Sequence, residues 1–135
     1  MSTPPAGFRA VEDAGPFAQH VGPLYILEGD EGPVLGLYAA DEHANHAGAV
    51  HGGLLATLCD LAFGHAVRAQ VDDDIAGAVT VSLTTDYMAP AKPGAWLEAR
   101  AHVEKLGGRL AFANCALTAD GREVVRARAV FSVLD

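Results

Sequence analysis

Only one stretch of this chain, from about residue 52 to residue 70, repeats apolar side chains at helical intervals. Leu54, Leu55, Leu58, Leu61, Ala62 and Ala66 recur every three or four positions. A helix of that length is a rod of roughly 25–30 Å. Everything else with a pattern reads as strand. Residues 24–27 and 34–40 flank a Gly-Asp-Glu-Gly-Pro turn and form a predicted hairpin. Beyond the helix, residues 76–88 alternate through Val79, Val81, Leu83, Thr85 and Tyr87, which leaves Thr80, Ser82, Thr84 and Asp86 on the opposite phase. Residues 96–106, 109–119 and 123–134 follow, separated by Gly107-Gly108 and Asp120-Gly121, both strong hairpin turns. The predicted order is therefore two strands, one long helix, then four antiparallel strands. A sheet with one apolar face needs cover, and a single helix is long enough to give it. The expected class is α+β, with a curved six-stranded antiparallel sheet wrapped around the helix. Open sheet edges in such a fold invite a partner subunit.

A length of 135 residues fits one domain. Residues 1–20, with Pro4, Pro5, Gly7 and Pro16, read as an N-terminal extension with short helical turns at 10–14 and 17–21. Residues 21–135 read as a single domain. Half the residues are apolar, and mean hydropathy is +0.19, as a core-forming chain requires. The run Asp72-Asp73-Asp74 ends the helical pattern and is placed in a solvent-facing loop.

Seventeen acids against nine bases give a net charge of −8, with no basic run of the kind that nucleic acid requires. The bases are unevenly placed. Arg9 stands alone before residue 68, whereas Lys105, Arg109, Arg126 and Arg128 lie among the last strands and offer a local cationic surface to a phosphate-bearing ligand. No 18-residue apolar span and no signal-peptide pattern is seen, so a soluble, cytoplasmic protein with no membrane partner is expected. Cys59 and Cys115 belong to no metal-binding or CxxC pattern and read as buried free thiols. His43, His46 and His51 lack a fourth ligand at zinc spacing, so no metal is expected.

The chemistry concentrates at the start of the helix. Asn45, His51, Gly52 and Gly53 precede the apolar pattern, and Asp60 interrupts it. Paired glycines at a helix start bring N–H donors close to a developing negative charge. An ordinary loop-to-helix junction has the same composition. Asp60 is either a half-exposed acid on the shoulder of the buried stripe or a cleft-wall carboxylate acting as general base or nucleophile. Asn45 either orients a ligand or bonds its own backbone in a turn. The polar phase at Thr80, Ser82, Thr84 and Asp86 is either solvated or lines a dimer cleft. No serine sits in a nucleophile elbow.

Asn45, Gly48, His51-Gly52-Gly53 and Asp60, with Tyr87-Met88-Ala89-Pro90 further on, resemble the acyl-CoA thioesterases of the hotdog fold, in particular the phenylacetate-pathway branch and its mammalian mitochondrial-type relatives. The likeness spans residues 36–133. It implies a dimer with a continuous sheet, or a dimer of dimers, with active sites between chains and an acyl-CoA substrate but no cofactor. By position, the resemblance implies that the Gly52 N–H polarises the thioester carbonyl and that Asp60 of the other subunit is the catalytic carboxylate. It likewise implies that Asn45 orients water near the leaving side, that His51 braces the loop, and that Thr80 supplies the hydroxyl that assists the attacking water. Lys105, Arg109, Arg126 and Arg128 are candidates for the CoA tail by charge and location. Two other functions fit the same residues: a noncatalytic binder of acyl-CoA or aromatic ligands, and a hotdog dehydratase that recruits His51.

Overall fold

The apolar repeat does form the long helix, and the sheet wraps it. The computed structural model describes residues 3–71 and 77–134; the Asp72-Asp73-Asp74 loop expected from the sequence lies outside them. In chain order the elements are β1 (Arg9–Ala10), α1 (Pro16–Val21), β2 (Tyr25–Gly29), β3 (Gly32–Tyr38), α2 (Gly52–Arg68), β4 (Gly77–Tyr87), β5 (Trp96–Leu106), β6 (Leu110–Ala119) and β7 (Arg122–Leu134), with a 3₁₀ turn at Asp41–His43 between β3 and α2. The helix stops two residues short of the predicted Gln70, with Ala69 as its C-cap.

One antiparallel sheet runs in the order β1-β2-β3-β5-β6-β7-β4. Its concave face meets α2. Leu55, Leu58, Phe63 and Val67 of the helix pack against Leu35, Leu37, Leu97, Leu117, Val125 and Phe131, all buried. The rings of Phe63 and Phe131 lie 6.1 Å apart. Fully burying one such side chain stabilises the fold by about 1.5–3 kcal/mol, so this shared face dominates the energetics. Cys59 and Cys115 are free and buried in the same core. A hydrogen bond with the neighbouring Cys59 thiol, reinforced by burial, pushes the Cys115 thiol far up, which keeps it protonated.

Among the described residues, seven strands stand where six were expected. The extra one is β1, where Arg9 and Ala10 pair with Ile26 and Tyr25. The helical turn expected at residues 10–14 is absent because the Val11 N–H donates to the Leu24 carbonyl at 2.9 Å, which holds the segment extended against β2. The turn expected at 17–21 is present as α1. The Asp120-Gly121 hairpin forms as predicted, with φ of 49° and 84° at its two residues.

A cluster of aromatic rings ties β1 and its neighbours to the convex face. Trp96 sits among Phe8, Tyr25 and Tyr38, with the Tyr38 ring centroid 4.6 Å away. Its indole donates to Glu98 at 3.0 Å. The ring lies flat across Gly36, where a Cβ would stand 2.2 Å from Trp96 Cζ2.

β4 departs from the simple alternation read in the sequence. Thr80 is in register with Phe131, and the next paired residue is Ser82, opposite Val130, so Val81 is an extra residue in a β-bulge. The bulge reverses the phase of the strand. Thr80 shares the helix-facing side with Leu83, Thr85 and Tyr87, while Val79 joins Ser82, Thr84 and Asp86 on the other side. Val79 and Val81 are accordingly exposed, 49% and 60%, instead of forming the buried phase.

Candidate active site

The loop before α2 is braced by its own side chains. Asn45 Oδ1 accepts from the N–H groups of Ala47 at 2.9 Å and Ala49 at 3.1 Å, and the Asn45 N–H donates to the Ala49 carbonyl at 2.7 Å. This is the local turn geometry that Asn favours. It commits the amide oxygen to the loop and leaves the NH₂ group for other partners. His43 anchors the same loop from the other side. Its Nδ1 accepts from the Ala40 N–H at 2.9 Å, so Nε2 carries the proton and donates to the Val21 carbonyl at 2.6 Å. The His51 N–H then donates to the His43 carbonyl at 2.8 Å.

His51 is the N-cap of α2. Its Nδ1 accepts from the Gly53 N–H at 2.8 Å, and its carbonyl accepts from Leu54 at 3.0 Å and Leu55 at 3.2 Å. Among the described residues, that leaves Gly52 as the first-turn N–H without an acceptor. The free donor sits where the helix dipole is most positive. Tyr87, at the end of β4, covers the other side of this glycine. Its hydroxyl donates to the Gly52 carbonyl at 2.8 Å, and a Cβ on Gly52 would meet the Tyr87 ring at 3.3 Å.

Asp60 lies two turns further along α2 and is partly exposed. Thr80 Oγ1 donates to Asp60 Oδ1 at 2.6 Å. The bulge at Val81 makes this contact possible by turning Thr80 towards the helix. The pair opens on a groove of about 750 Å³ that continues along Leu61, Gly64, His65 and Arg68. Burial, reinforced by the charge of Arg68 and opposed by Glu28, holds the His65 imidazole below its ordinary pKa, so it is neutral at physiological pH.

These residues form two groups, not one. Gly52, His51, Asn45 and Tyr87 gather at the N-terminus of α2; Asp60 and Thr80 gather eight residues on. Along the helix axis that is about 12 Å, too far for one thioester to touch both groups of the same chain. The cationic candidates stand apart from both. Arg126 pairs with Glu123, whose carboxyl it holds below the usual range. Arg128 pairs with Glu104 at 2.8 Å. In register, Arg126 lies opposite Asp86 and Arg128 opposite Thr84, on the convex side of the sheet away from Asp60. Lys105 is exposed in register with Phe112, and Arg109 lies between β5 and β6. Among the described residues, no group of three or more His, Cys, Asp or Glu side chains is placed to hold a metal ion. Among the described residues, no helix is long and apolar enough to cross a membrane.

Residues 47–126, which contain the helix start, Asp60, Thr80 and Tyr87, match the family model described as Thioesterase superfamily. The chain belongs to that superfamily. A Pseudomonas aeruginosa protein carrying an esterase name is 36% identical to this thioesterase-superfamily chain over 132 residues, which cover 97% of this chain and 98% of the relative. Human acyl-coenzyme A thioesterase 13 is 33% identical over 123 residues, covering 89% and 86%. Among solved structures, the Escherichia coli PaaI protein from the phenylacetic acid degradation operon superposes with a TM-score of 0.78 at 26% identity, covering 88% of this chain and 84% of that one. A Bacillus halodurans protein solved with CoA gives a TM-score of 0.75 at 28% identity, covering 82% and 73%. The hotdog architecture expected from the sequence is thus the architecture found, and the chain is a thioesterase-superfamily enzyme.

Two structural residues of the site were not singled out in the sequence. In sequence, His43 stands out only as a histidine without zinc spacing, and Tyr87 only as part of a strand alternation and a motif. The contact between Tyr87 and Gly52 spans 35 positions in sequence, and no spacing rule reports such a contact.

Proposed function

We propose that the protein hydrolyses acyl-CoA thioesters at sites built between two copies of the chain. The Gly52 N–H of one copy polarises the carbonyl oxygen and stabilises the charge that develops there as the tetrahedral intermediate forms. Asp60 of the second copy accepts a proton from water as its oxygen bonds to the carbonyl carbon. Collapse of the intermediate breaks the C–S bond, and the CoA thiolate leaves and is protonated. The free acid is the other product. Asp60 acts as general base in this reading, since Thr80 occupies Oδ1 and leaves Oδ2 to take the proton. Direct attack by Asp60 would give an anhydride needing a second hydrolysis. Asn45 offers its NH₂ group towards the leaving side, and His51 holds Gly53 so that Gly52 remains the free donor.

The observation that carries this reading is the Thr80–Asp60 hydrogen bond at 2.6 Å, with the pair facing an open groove. A helix acid with only a solvent role has no use for a bulge that delivers a hydroxyl to it. The bond also favours an enzyme over a simple binder, and the engagement of His51 Nδ1 as a cap counts against a dehydratase that needs this imidazole as its base. A second copy is supported by β4, a sheet edge with its outer hydrogen-bonding groups open and Val79 and Val81 exposed beside it. Pairing two such edges antiparallel continues the sheet and is the assembly proposed here. The CoA tail lies at the surface of that assembly, where Lys105, Arg109, Arg126 and Arg128 remain the proposed contacts.

The test is free-thiol release from acetyl-, hexanoyl-, decanoyl-, palmitoyl- and phenylacetyl-CoA by wild type and Asp60→Asn. Loss of a general base lowers kcat by about 10²-fold or more. Wild-type turnover that survives intact in Asp60→Asn would refute the role of Asp60, and no release from any thioester would refute the activity.

A further inference from the structure

Gly64 has no reason to be glycine that the fold itself supplies. It lies inside α2, where glycine costs helix stability relative to alanine. Its backbone is not left-handed, and a Cβ built on it meets no atom within 4 Å. No described residue packs into the space it leaves. That space belongs to the groove that starts at Asp60 and Thr80. Positions 60, 61, 64, 65 and 68 share one helix face. Leu61, Ala78 and Phe131 give the groove apolar walls near Gly64, and His65, Arg68 and Asp13 mark its polar far end. Gly64 stands four residues, about 6 Å along the axis, beyond the carboxylate.

We propose that Gly64 sets the acyl length of the site: its missing side chain admits an apolar acyl group that runs at least one helical turn past the thioester carbonyl. This rests on the thioesterase reading above. Medium-chain and arylacetyl groups are long enough to cover Gly64, and an acetyl group ends before reaching it. A side chain at this position leans along the groove towards Asp60, its neighbour one turn back, so acetyl-CoA turnover is the internal reference for any effect on the carboxylate.

The experiment compares wild type, Gly64→Ala and Gly64→Leu on acetyl-, hexanoyl-, decanoyl- and phenylacetyl-CoA, with product inhibition by free CoA and the oligomeric state measured on the same samples. In Gly64→Leu, kcat/KM for the hexanoyl, decanoyl and phenylacetyl substrates falls at least about tenfold relative to acetyl-CoA, while inhibition by free CoA stays within about twofold. Such a ratio corresponds to the energy of one or two methylenes of contact. Gly64→Ala raises Tm by about 3–5 °C, because the residue it replaces served no purpose in the fold. An equal fall for all acyl groups, or no fall, overturns the proposal. So does a Gly64→Leu protein that loses its partner subunit, since the space would then belong to the second copy. Failure of the thioesterase reading is a separate result: wild type would release no thiol from any of the four substrates.

Discussion

The phenol of Tyr87 donates to the Gly52 carbonyl at 2.8 Å while its ring lies against the face of the same residue. One side chain from the sheet edge thereby fixes the peptide that begins α2. Tyr87→Phe keeps the ring and deletes the donor. Removing one such hydrogen bond is worth about 1 kcal/mol. The expected outcome is a several-fold loss in kcat with KM little changed, measured by thiol release. A fall in Tm with kcat intact would reduce Tyr87 to a packing residue.

Thr80 is expected to separate by chemistry rather than size. Thr80→Val preserves the branched shape and removes the hydroxyl that Asp60 accepts at 2.6 Å. Hydrogen bonds to charged groups are worth about 1.5–3 kcal/mol, so kcat should drop by about tenfold or more. Thr80→Ser restores the donor and should recover most of the rate. Equal activity in Thr80→Val and Thr80→Ser would show that the hydroxyl takes no part.

Gly36→Ala tests the aromatic cluster on the convex face. The new Cβ would press on the Trp96 ring at 2.2 Å, and the ring is pinned by Tyr38 and by its bond to Glu98. Overpacking of this kind costs about 1–3 kcal/mol. A lowered Tm is expected, together with a shifted emission spectrum, since Trp96 is the only tryptophan. An unchanged Tm would mean that the ring moves aside freely.

His65 makes stability depend on pH in one direction. Burial, then Arg68, hold its folded-state pKa below the ordinary 6.5, against the opposing pull of Glu28. The unfolded chain therefore binds the proton more readily. The stabilisation is complete above about pH 6.5 and declines as pH falls through the folded-state value. Tm scans between pH 7.5 and 5 should show this decline, and His65→Gln should flatten part of it. A variant with the same slope as wild type would remove His65 from the account.

Much of the architecture was legible because binary patterning and turn chemistry agreed. The apolar interval of α2, the Asp120-Gly121 turn and the long alternations of β5, β6 and β7 each pointed to one local structure, and the sheet followed. The helix start was legible for the same reason: paired glycines after a histidine are costly except where a backbone must approach something. The N-terminal strand was not legible, since two residues carry no period. Its pairing depends on the Leu24 carbonyl being within reach of Val11. The phase of β4 was misread because a bulge adds a residue without leaving a mark in composition. Val79 and Val81 look like core positions until Val81 is seen to be the extra residue. The ion pairs of Arg126 and Arg128 were equally hidden, because charge alone does not reveal which face of a strand it occupies.

The separation of Gly52 from Asp60 along one rigid rod has a further consequence under the proposed mechanism. A solitary chain holds two halves of different sites and no whole one. Turnover would then vanish on dilution while every molecule stayed folded, so abundance itself would act as the on-switch. Mixing chains defective at position 52 with chains defective at position 60 would likewise rebuild one intact centre in each hybrid pair.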